Sequence, residues 1–361
     1  MYLKTLAMIV IFWLSSLNAL VTLEKRDNQR LLLTTLYGST AIEEPVLIDL
    51  INHPAFERLK NIHQYGAVRY VPNQKSFTRY EHSLGVFFLT RLYGAPLEEQ
   101  IAGLLHDVSH TAFSHVGDRF FKSDYLVNNE SYQDMIHEWY LKETGVMNIL
   151  QQYGYEAACS KEAKMRQRCF EQSLPNICAD RLEYNLSGGF LDELITGDEI
   201  TALLKTLHFS DDQWFFTDVN MARKFGLMSL QLCESRWGAA WSVCVDNTTA
   251  QALHRAVDLH IISLDDIHFS DDETIWKILA HSNDEAINRL MNIIVTIPLS
   301  FSCDNTQSSD GYLRGKFSGI DPLVMHKGCL VHLSEVDDYY RELFERVGSL
   351  VHRGWCITIT V

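Results

Sequence analysis

No two cysteines in this chain are spaced as CxxC, and no low-complexity stretch, tandem repeat or polar linker interrupts it. The first absence removes the usual cysteine zinc sites and thioredoxin-like motifs. The second leaves no compositional hinge between modules. Positive charge is also scarce: 31 Lys and Arg stand against 46 Asp and Glu, a net charge of −15 over 361 residues. A broad nucleic-acid or anionic-membrane surface is thereby excluded, since such partners need clustered cations. A small anionic substrate remains open, because it needs only local positive charge and a metal ion. The eight cysteines suit either disulfides or free thiols, and their spacing does not decide between them. With 47% hydrophobic and 21% charged residues the composition is that of a globular chain able to bury a core.

Charge is missing altogether from Thr5–Leu23, after one lysine in Met1–Lys4. Its most apolar part, Leu6–Leu14, precedes Ser15, Ser16, Asn18 and small Ala19, the layout of a secretory signal over residues 1–22. Export to the periplasm or medium is the expectation. A single N-terminal membrane anchor competes with it, because the uncharged run nearly reaches the length a spanning helix needs. A core helix in a cytoplasmic protein is the third reading. Sequons begin at Asn129, Asn185 and Asn247 and matter only in a eukaryotic secretory pathway.

What is present in quantity is helical periodicity. Glu44–Ile62, Arg79–Leu92, Leu97–Leu105, Ser131–Leu150 and Thr274–Ile294 each place apolar residues on one helical face. Pro54 and Pro96 stand near helix starts. Trp355–Val361 alternates apolar residues with Thr and predicts a terminal strand. The pattern predicts a mainly α protein: a helical unit over 23–190, then a smaller mixed α and β region over 191–361 beyond Gly188–Gly189. One segment is echoed, His-Phe-Ser-Asp-Asp at 208–212 and again at 268–272. Ser210 with Gln213, and Ser270 with Glu273, match the capping box and predict helix starts rather than acidic metal loops.

Histidine is concentrated where the chemistry must lie. His82, His106, His110 and His115, with Asp107 and Asp118, fall within 82–118. Apolar Ile101–Leu105 leads straight into His106-Asp107, placing imidazole and carboxylate at the end of a buried helix. Burying them together is unfavourable unless both are satisfied, and a divalent metal satisfies both. A single His–Asp hydrogen-bonded pair is the plainer reading, and the number of residues argues against it. His106-Asp-Val-Ser-His110 also has the outline of an HExxH zinc-protease helix, with His106 and His110 on one face and Asp107 one methylene short of the catalytic Glu. That protease reading requires Asp180 to be remote from the metal.

The stretches His53-Pro-Ala-Phe-Glu-Arg-Leu-Lys-Asn-Ile-His-Gln64, Thr78-Arg-Tyr-Glu-His-Ser-Leu-Gly85, Ala102–Asp118 and Ile177-Cys-Ala-Asp-Arg-Leu-Glu-Tyr184 occur in that order. Together they resemble the HD phosphohydrolase superfamily, and in particular its deoxynucleoside triphosphate triphosphohydrolase branch. Lys316-Phe-Ser-Gly-Ile-Asp-Pro322 resembles a C-terminal element of the same sequences. The resemblance implies a helical HD domain and a divalent transition metal (Mn, Fe, Ni, Co or Zn) held by His82, His106, Asp107 and Asp180. It implies that His115 with Asp118 handles proton transfer or attack at phosphorus, and that His110 and Arg79 contact phosphate. Gln64 and Tyr184 would touch the sugar. The implied reaction is hydrolysis of a nucleotide, in the dNTP case to deoxynucleoside and triphosphate, and the branch adds the expectation of a homo-oligomer.

Three departures weaken the recognition side and leave open a regulatory module that binds metal and nucleotide without turnover. Asn129-Glu130 stands where the family has His-Glu, with His137-Glu138 as the displaced candidate. Tyr65 replaces a Leu beside the sugar, and Gly188 replaces a carboxylate. Trp237 and Trp241 are expected in the core, and the basic run Lys161–Arg168 on a solvated helix face.

Overall fold

A computed structural model describes residues 20–27, 30–121, 131–303 and 311–359. Residues 1–19 of the signal or anchor segment and Asn129-Glu130 lie outside the described residues. No described helix is long and apolar enough to cross a membrane.

Among the described residues helices dominate, with three small sheets, as the mainly α expectation requires. The helices Arg79–Leu92 and Leu97–Leu105 run as the periodicity predicts. The first is fixed by a reciprocal cap: the Thr78 hydroxyl accepts from the Glu81 amide at 3.2 Å, and the Glu81 carboxylate accepts from the Thr78 amide at 2.8 Å. His82 thus sits on the first turn of a helix whose start cannot slip. The second begins after Pro96, with Glu98 and Glu99 in its first turn. Buried Glu99 turns inward and accepts from the Cys169 and Phe170 amides, both at 2.8 Å. It pins the segment leading into the helix Ala179–Leu191, which carries Asp180.

Several expected elements break. Glu44–Ile62 divides into Pro45–Ile51, Pro54–Glu57 and a 3-10 turn Arg58–Asn61. Pro54 holds His53 extended, at ψ 138, and ends the first helix. Ser131–Leu150 becomes Tyr132–Glu143 and Val146–Tyr153, parted at Gly145 with φ +82. Thr274–Ile294 becomes Asp272–Ala280 and Glu285–Ser300. Ser210 starts no helix: Leu207–Ser210 and Gln213–Phe216 form a hairpin turned by Asp211 and Asp212, both at positive φ. At the second copy a helix does start, but Asp271, not Ser270, caps it. The strand Trp355–Ile359 is found as expected, between Phe301–Cys303 and Gly311–Leu313.

The stretch from residue 23 opens on strands rather than helix: Val21–Asp27, Arg30–Thr35 and Gly38–Ile42 form an antiparallel sheet. Its Leu31, Leu33 and Ile42 pack with Leu47, Phe56, Phe87 and Leu104. A second apolar cluster joins Val86, Leu89 and Ala102 to Phe225, Met228, Tyr340 and Val347. A third joins Val68, Phe113 and Val116 to Val243, Leu253 and Ile294. Gly188 and Gly189 lie inside the helix Ala179–Leu191, so the glycine pair marks no break, and two of the three clusters span residue 190. Asn185 is fully buried in that helix, which removes its sequon as an acceptor.

Candidate metal centre and its cavity

Three chain segments bring their polar groups to one point. His82 comes from the first turn of its helix, His106 and Asp107 from the end of the helix Leu97–Leu105, and Asp180 from the first turn of Ala179–Leu191. The His82 Nε2 lies 3.2 Å from His106 Nε2 and 3.0 Å from Asp180 Oδ1, and His106 Nε2 lies 3.5 Å from the same oxygen. Asp107 completes the group, with its oxygens 3.6 Å from His82 Nε2 and 3.4 Å from His106 Nε2. Donor atoms about 2.1 Å from one ion stand about 3.0 Å apart at right angles and about 3.4 Å apart at tetrahedral angles. The spread of His82, His106 and Asp180 therefore fits one ion, and Asp107 borders that group with a different oxygen toward each imidazole. Two imidazole nitrogens aimed at each other are satisfied by a proton or a metal ion between them, and their outer nitrogens are both engaged. His82 Nδ1 is held by the Glu183 carboxylate, and His106 Nδ1 donates to the Gly103 carbonyl at 2.8 Å.

Electrostatics tell the same story. Burial disfavours charge on His82, yet Glu183, Asp180 and Asp107 together lift it to about 10. Burial likewise opposes ionisation of Asp107, and Arg79, His106 and His110 overcome it, holding that carboxyl well below the usual range. The cluster demands positive charge, which a divalent transition metal meets. A second group, Glu171, Cys178 and Asp180, is close enough to bind an ion, but Arg181 already occupies it, bonding Glu171 at 3.0 Å and the Cys178 sulfur at 3.3 Å.

Beyond Asp107, Arg79 is almost fully buried; one Nη is paired with Asp107 and Nε donates to Ser114 Oγ at 2.7 Å, leaving its other Nη without a partner among the described residues. His110 Nε2 stands 3.3 Å from Asp107, and burial beside Arg79 lowers it to about 3, so it is neutral. His115 is half exposed, its Nδ1 bonded to Asp118 Oδ2 at 2.9 Å; the other Asp118 oxygen accepts from the Tyr132 amide at 2.6 Å. Although burial opposes it, the bond from His115 lowers Asp118 to about 2.

These groups open on a cavity of about 610 Å³. Gln64, Arg79, His110, His115, Asp118 and Tyr184, the candidates named from the sequence, line it together with Tyr65. His137 does not: it lies behind Gln133, its Nδ1 2.8 Å from Ser109 Oγ, neutral because burial lowers it to about 4. Trp237 and Trp241 pack against the apolar clusters as expected and also line the cavity, Trp237 meeting Tyr184 edge-on with centroids 5.3 Å apart. Lys164, from the basic run, also faces the cavity and pairs with Asp134 at 3.0 Å. The protease reading fails on two counts: the helix ends at Leu105, before His106-Asp-Val-Ser-His110, and Asp180 stands within the donor cluster. Sequence reasoning missed Glu183, one helical turn after Asp180 and on its face, and the wall residues Arg119, Arg181, Arg236, Arg314 and Asp246. Only the i, i+3 spacing of Asp180 and Glu183 pointed to the first.

A helical frame presenting His, His-Asp and a distal Asp to one point is the architecture of the HD domain, and the HD domain family model matches residues 79–168. The chain belongs to the HD superfamily of metal-dependent phosphohydrolases. It is 31% identical to the uncharacterised protein YdhJ of Bacillus subtilis over 324 residues, 90% of this chain and 97% of that one. The metal-dependent phosphohydrolase cns2 of Cordyceps militaris shares 36% over 168 residues, 44% of this chain and 45% of the relative. Human deoxynucleoside triphosphate triphosphohydrolase SAMHD1 shares 31% over 147 residues, 36% of this chain and only 23% of that protein.

Proposed function

We propose that this hydrolase cleaves a phosphoester or phosphoanhydride bond of a nucleotide, with His82, His106, Asp107 and Asp180 as its metal ligands. The observation that carries the reading is the convergence of His82, His106 and Asp180, with Asp107 3.4 Å from His106, beside the His115–Asp118 pair in a cavity lined by arginines, lysines, carboxylates and aromatic rings.

The metal, when bound, supplies Lewis acidity toward water and phosphoryl oxygens. The chain's own groups do the rest. Asp118 stays ionised and fixes His115 with its proton on Nδ1, which leaves Nε2 to take up or deliver a proton at the cavity. Arg79 presents its unpaired Nη as a fixed donor for a phosphoryl oxygen, and its partners Asp107 and Ser114 keep the guanidinium from turning. Neutral His110 is a hydrogen-bonding neighbour of the phosphate rather than a counter-charge. Farther out, Lys164, Arg181, Arg314 and Lys316 draw an anionic tail inward, while Tyr65, Tyr184 and Trp237 offer faces to the organic part.

The triphosphohydrolase relative favours a dNTP, cleaved to deoxynucleoside and triphosphate. The Tyr65–Gly188 pair favours a remodelled sugar end: a Cβ on residue 188 would fall 2.5 Å from the Tyr65 hydroxyl, so this tyrosine and any side chain at 188 exclude one another. The test is metal analysis of the purified protein, then product analysis with added Mn²⁺ on ribo- and deoxyribonucleoside mono- and triphosphates. Asp107→Ala and Asp180→Ala are run alongside. Bound metal, turnover and loss of both in the variants support the reading, and the products name the bond. Metal without turnover of any nucleotide refutes it in favour of a binding module, and absence of metal refutes the ligand set.

A further inference from the structure

The repeated His-Phe-Ser-Asp-Asp segment has no part in the chemistry above, yet its second copy lies against the loop that carries His110 and His115. That loop follows the helix ending at Leu105, and at its centre Phe113 and Ser114 hold φ of 61° and 56°. Residues with side chains seldom take this left-handed conformation, and two in succession persist only where the surroundings impose it. The surroundings are specific. The Phe113 amide donates to Asp272 Oδ1 at 2.6 Å, and the His63 amide donates to Asp272 Oδ2 at 2.9 Å. The Ala112 amide donates to the Ile267 carbonyl at 3.0 Å. Arg58 spans the junction, donating to the carbonyls of His110 at 2.9 Å and Ser270 at 2.7 Å. On the opposite side Ser114 Oγ donates to the His63 carbonyl at 2.6 Å while accepting from Arg79. Gly66 lets the chain close on itself there, since a Cβ would collide with the Phe113 carbonyl oxygen.

We infer that the Ile267 carbonyl and the Asp272 carboxylate brace the His110–His115 loop and that Asp272 is a positioning residue for the reaction, acting through the Phe113 amide on the placement of His115. Asp272 is fully buried, and it stands in the first turn of a helix whose cap is supplied by its neighbour: Asp271 accepts from the Thr274 amide at 2.8 Å. Asp272 is therefore not needed to start its own helix. Both its oxygens accept from backbone that flanks the cavity. The first copy of the motif offers a contrast, since Asp211 and Asp212 there turn an exposed hairpin. The role of Asp272 in turnover rests on the hydrolase reading; the brace itself does not.

The experiment compares the full-length Mn²⁺-loaded protein with its Asp272→Asn and Asp271→Ala variants. The carboxamide introduced by Asp272→Asn can accept one of the two bonds but sets an NH₂ group against the other amide, and it keeps the volume of the side chain. Asp271→Ala removes the helix cap and makes no change to the bonds on the His110–His115 loop. Hydrogen exchange over residues 108–118, metal content, affinity for inorganic phosphate, and kcat and KM on bis(4-nitrophenyl) phosphate and the nucleotide panel are measured for each. Asp272→Asn is expected to keep its metal, to exchange about tenfold faster across 108–118, and to lose about 10- to 100-fold in kcat with KM nearly unchanged. Asp271→Ala is expected to melt earlier with kcat retained. Unchanged exchange over 108–118 in Asp272→Asn overturns the brace. An equal kcat loss in Asp271→Ala, or a loss that follows metal content, overturns the positioning role. If the wild type turns over nothing, the hydrolase reading fails, while exchange and phosphate affinity still decide for or against the brace.

Discussion

His82 is held from both sides, its Nε2 turned to the donor cluster and its Nδ1 bound by buried Glu183. Glu183 fixes the tautomer and the ring orientation, and its other oxygen accepts from Tyr37 at 3.1 Å and Ser187 at 2.5 Å. Glu183→Gln is expected to weaken metal binding by about 10- to 100-fold, read by competition with a chelating dye. The buried histidines outside the donor cluster have a different consequence. Burial keeps His63 neutral, down to about 4, and His137 likewise to about 4. In the unfolded chain both titrate near 6.5. As pH falls below that value the unfolded state gains protons the folded state refuses, so stability is lost from about pH 6.5 toward 4. At pH 5 the loss is about 1–2 kcal/mol for each histidine, to be read from urea midpoints at pH 7 and pH 5 and from His137→Gln, which should flatten the dependence. At this scale the sequence was informative where spacing and residue type both spoke: all four proposed ligands, His115 and Asp118 were legible in their motifs. Glu183 was not, because a glutamate on an amphipathic helix has no mark to distinguish an inward from an outward carboxylate.

Elements matter here through where they begin. The capping box of Thr78 and Glu81 starts the helix that aims His82 and Arg79, two side chains with no freedom to compensate for a frayed first turn. Thr78→Ala is expected to destabilise the protein by about 1 kcal/mol in a urea titration, and to weaken metal binding alongside. Helix existence was legible and helix continuity was not. Apolar periodicity runs on through Asn52–Pro54 and through Thr144–Gly145, and only the local backbone demands of Pro54 and Gly145 end the helices there. The opening sheet was missed because its inward residues, Leu31 and Leu33, alternate over too short a run to outweigh the helical reading around them. The two copies of His-Phe-Ser-Asp-Asp are the clearest lesson: the same five residues make a hairpin turn in one place and a helix start in the other, since packing partners decide where local preference is weak.

At the scale of the whole molecule, residue 190 separates compositions but not cores. Phe225, Met228 and Tyr340 share an apolar cluster with Val86 and Leu89, and the cavity draws Trp237, Trp241 and Arg314 from beyond the metal-binding stretch. A fragment of residues 20–190 is expected to lack a fixed tertiary structure, seen as weak near-UV circular dichroism and no cooperative thermal transition, although it holds every proposed metal ligand. Such packing between distant segments has no signature in periodicity, which is why the cavity face of Trp237 and Trp241 was not legible beside their core packing. The arginines and lysines in the cavity wall, several of them paired with carboxylates, carry one more consequence. They sit within a chain of net charge −15, so an anionic substrate is repelled by the body before it is attracted by the mouth. At 0.1 M salt the body's field fades within about 10 Å while the close contacts inside survive. Moderate ionic strength should therefore hasten the encounter rather than hinder it, giving association kinetics opposite in sign to those of a protein that steers its substrate from afar.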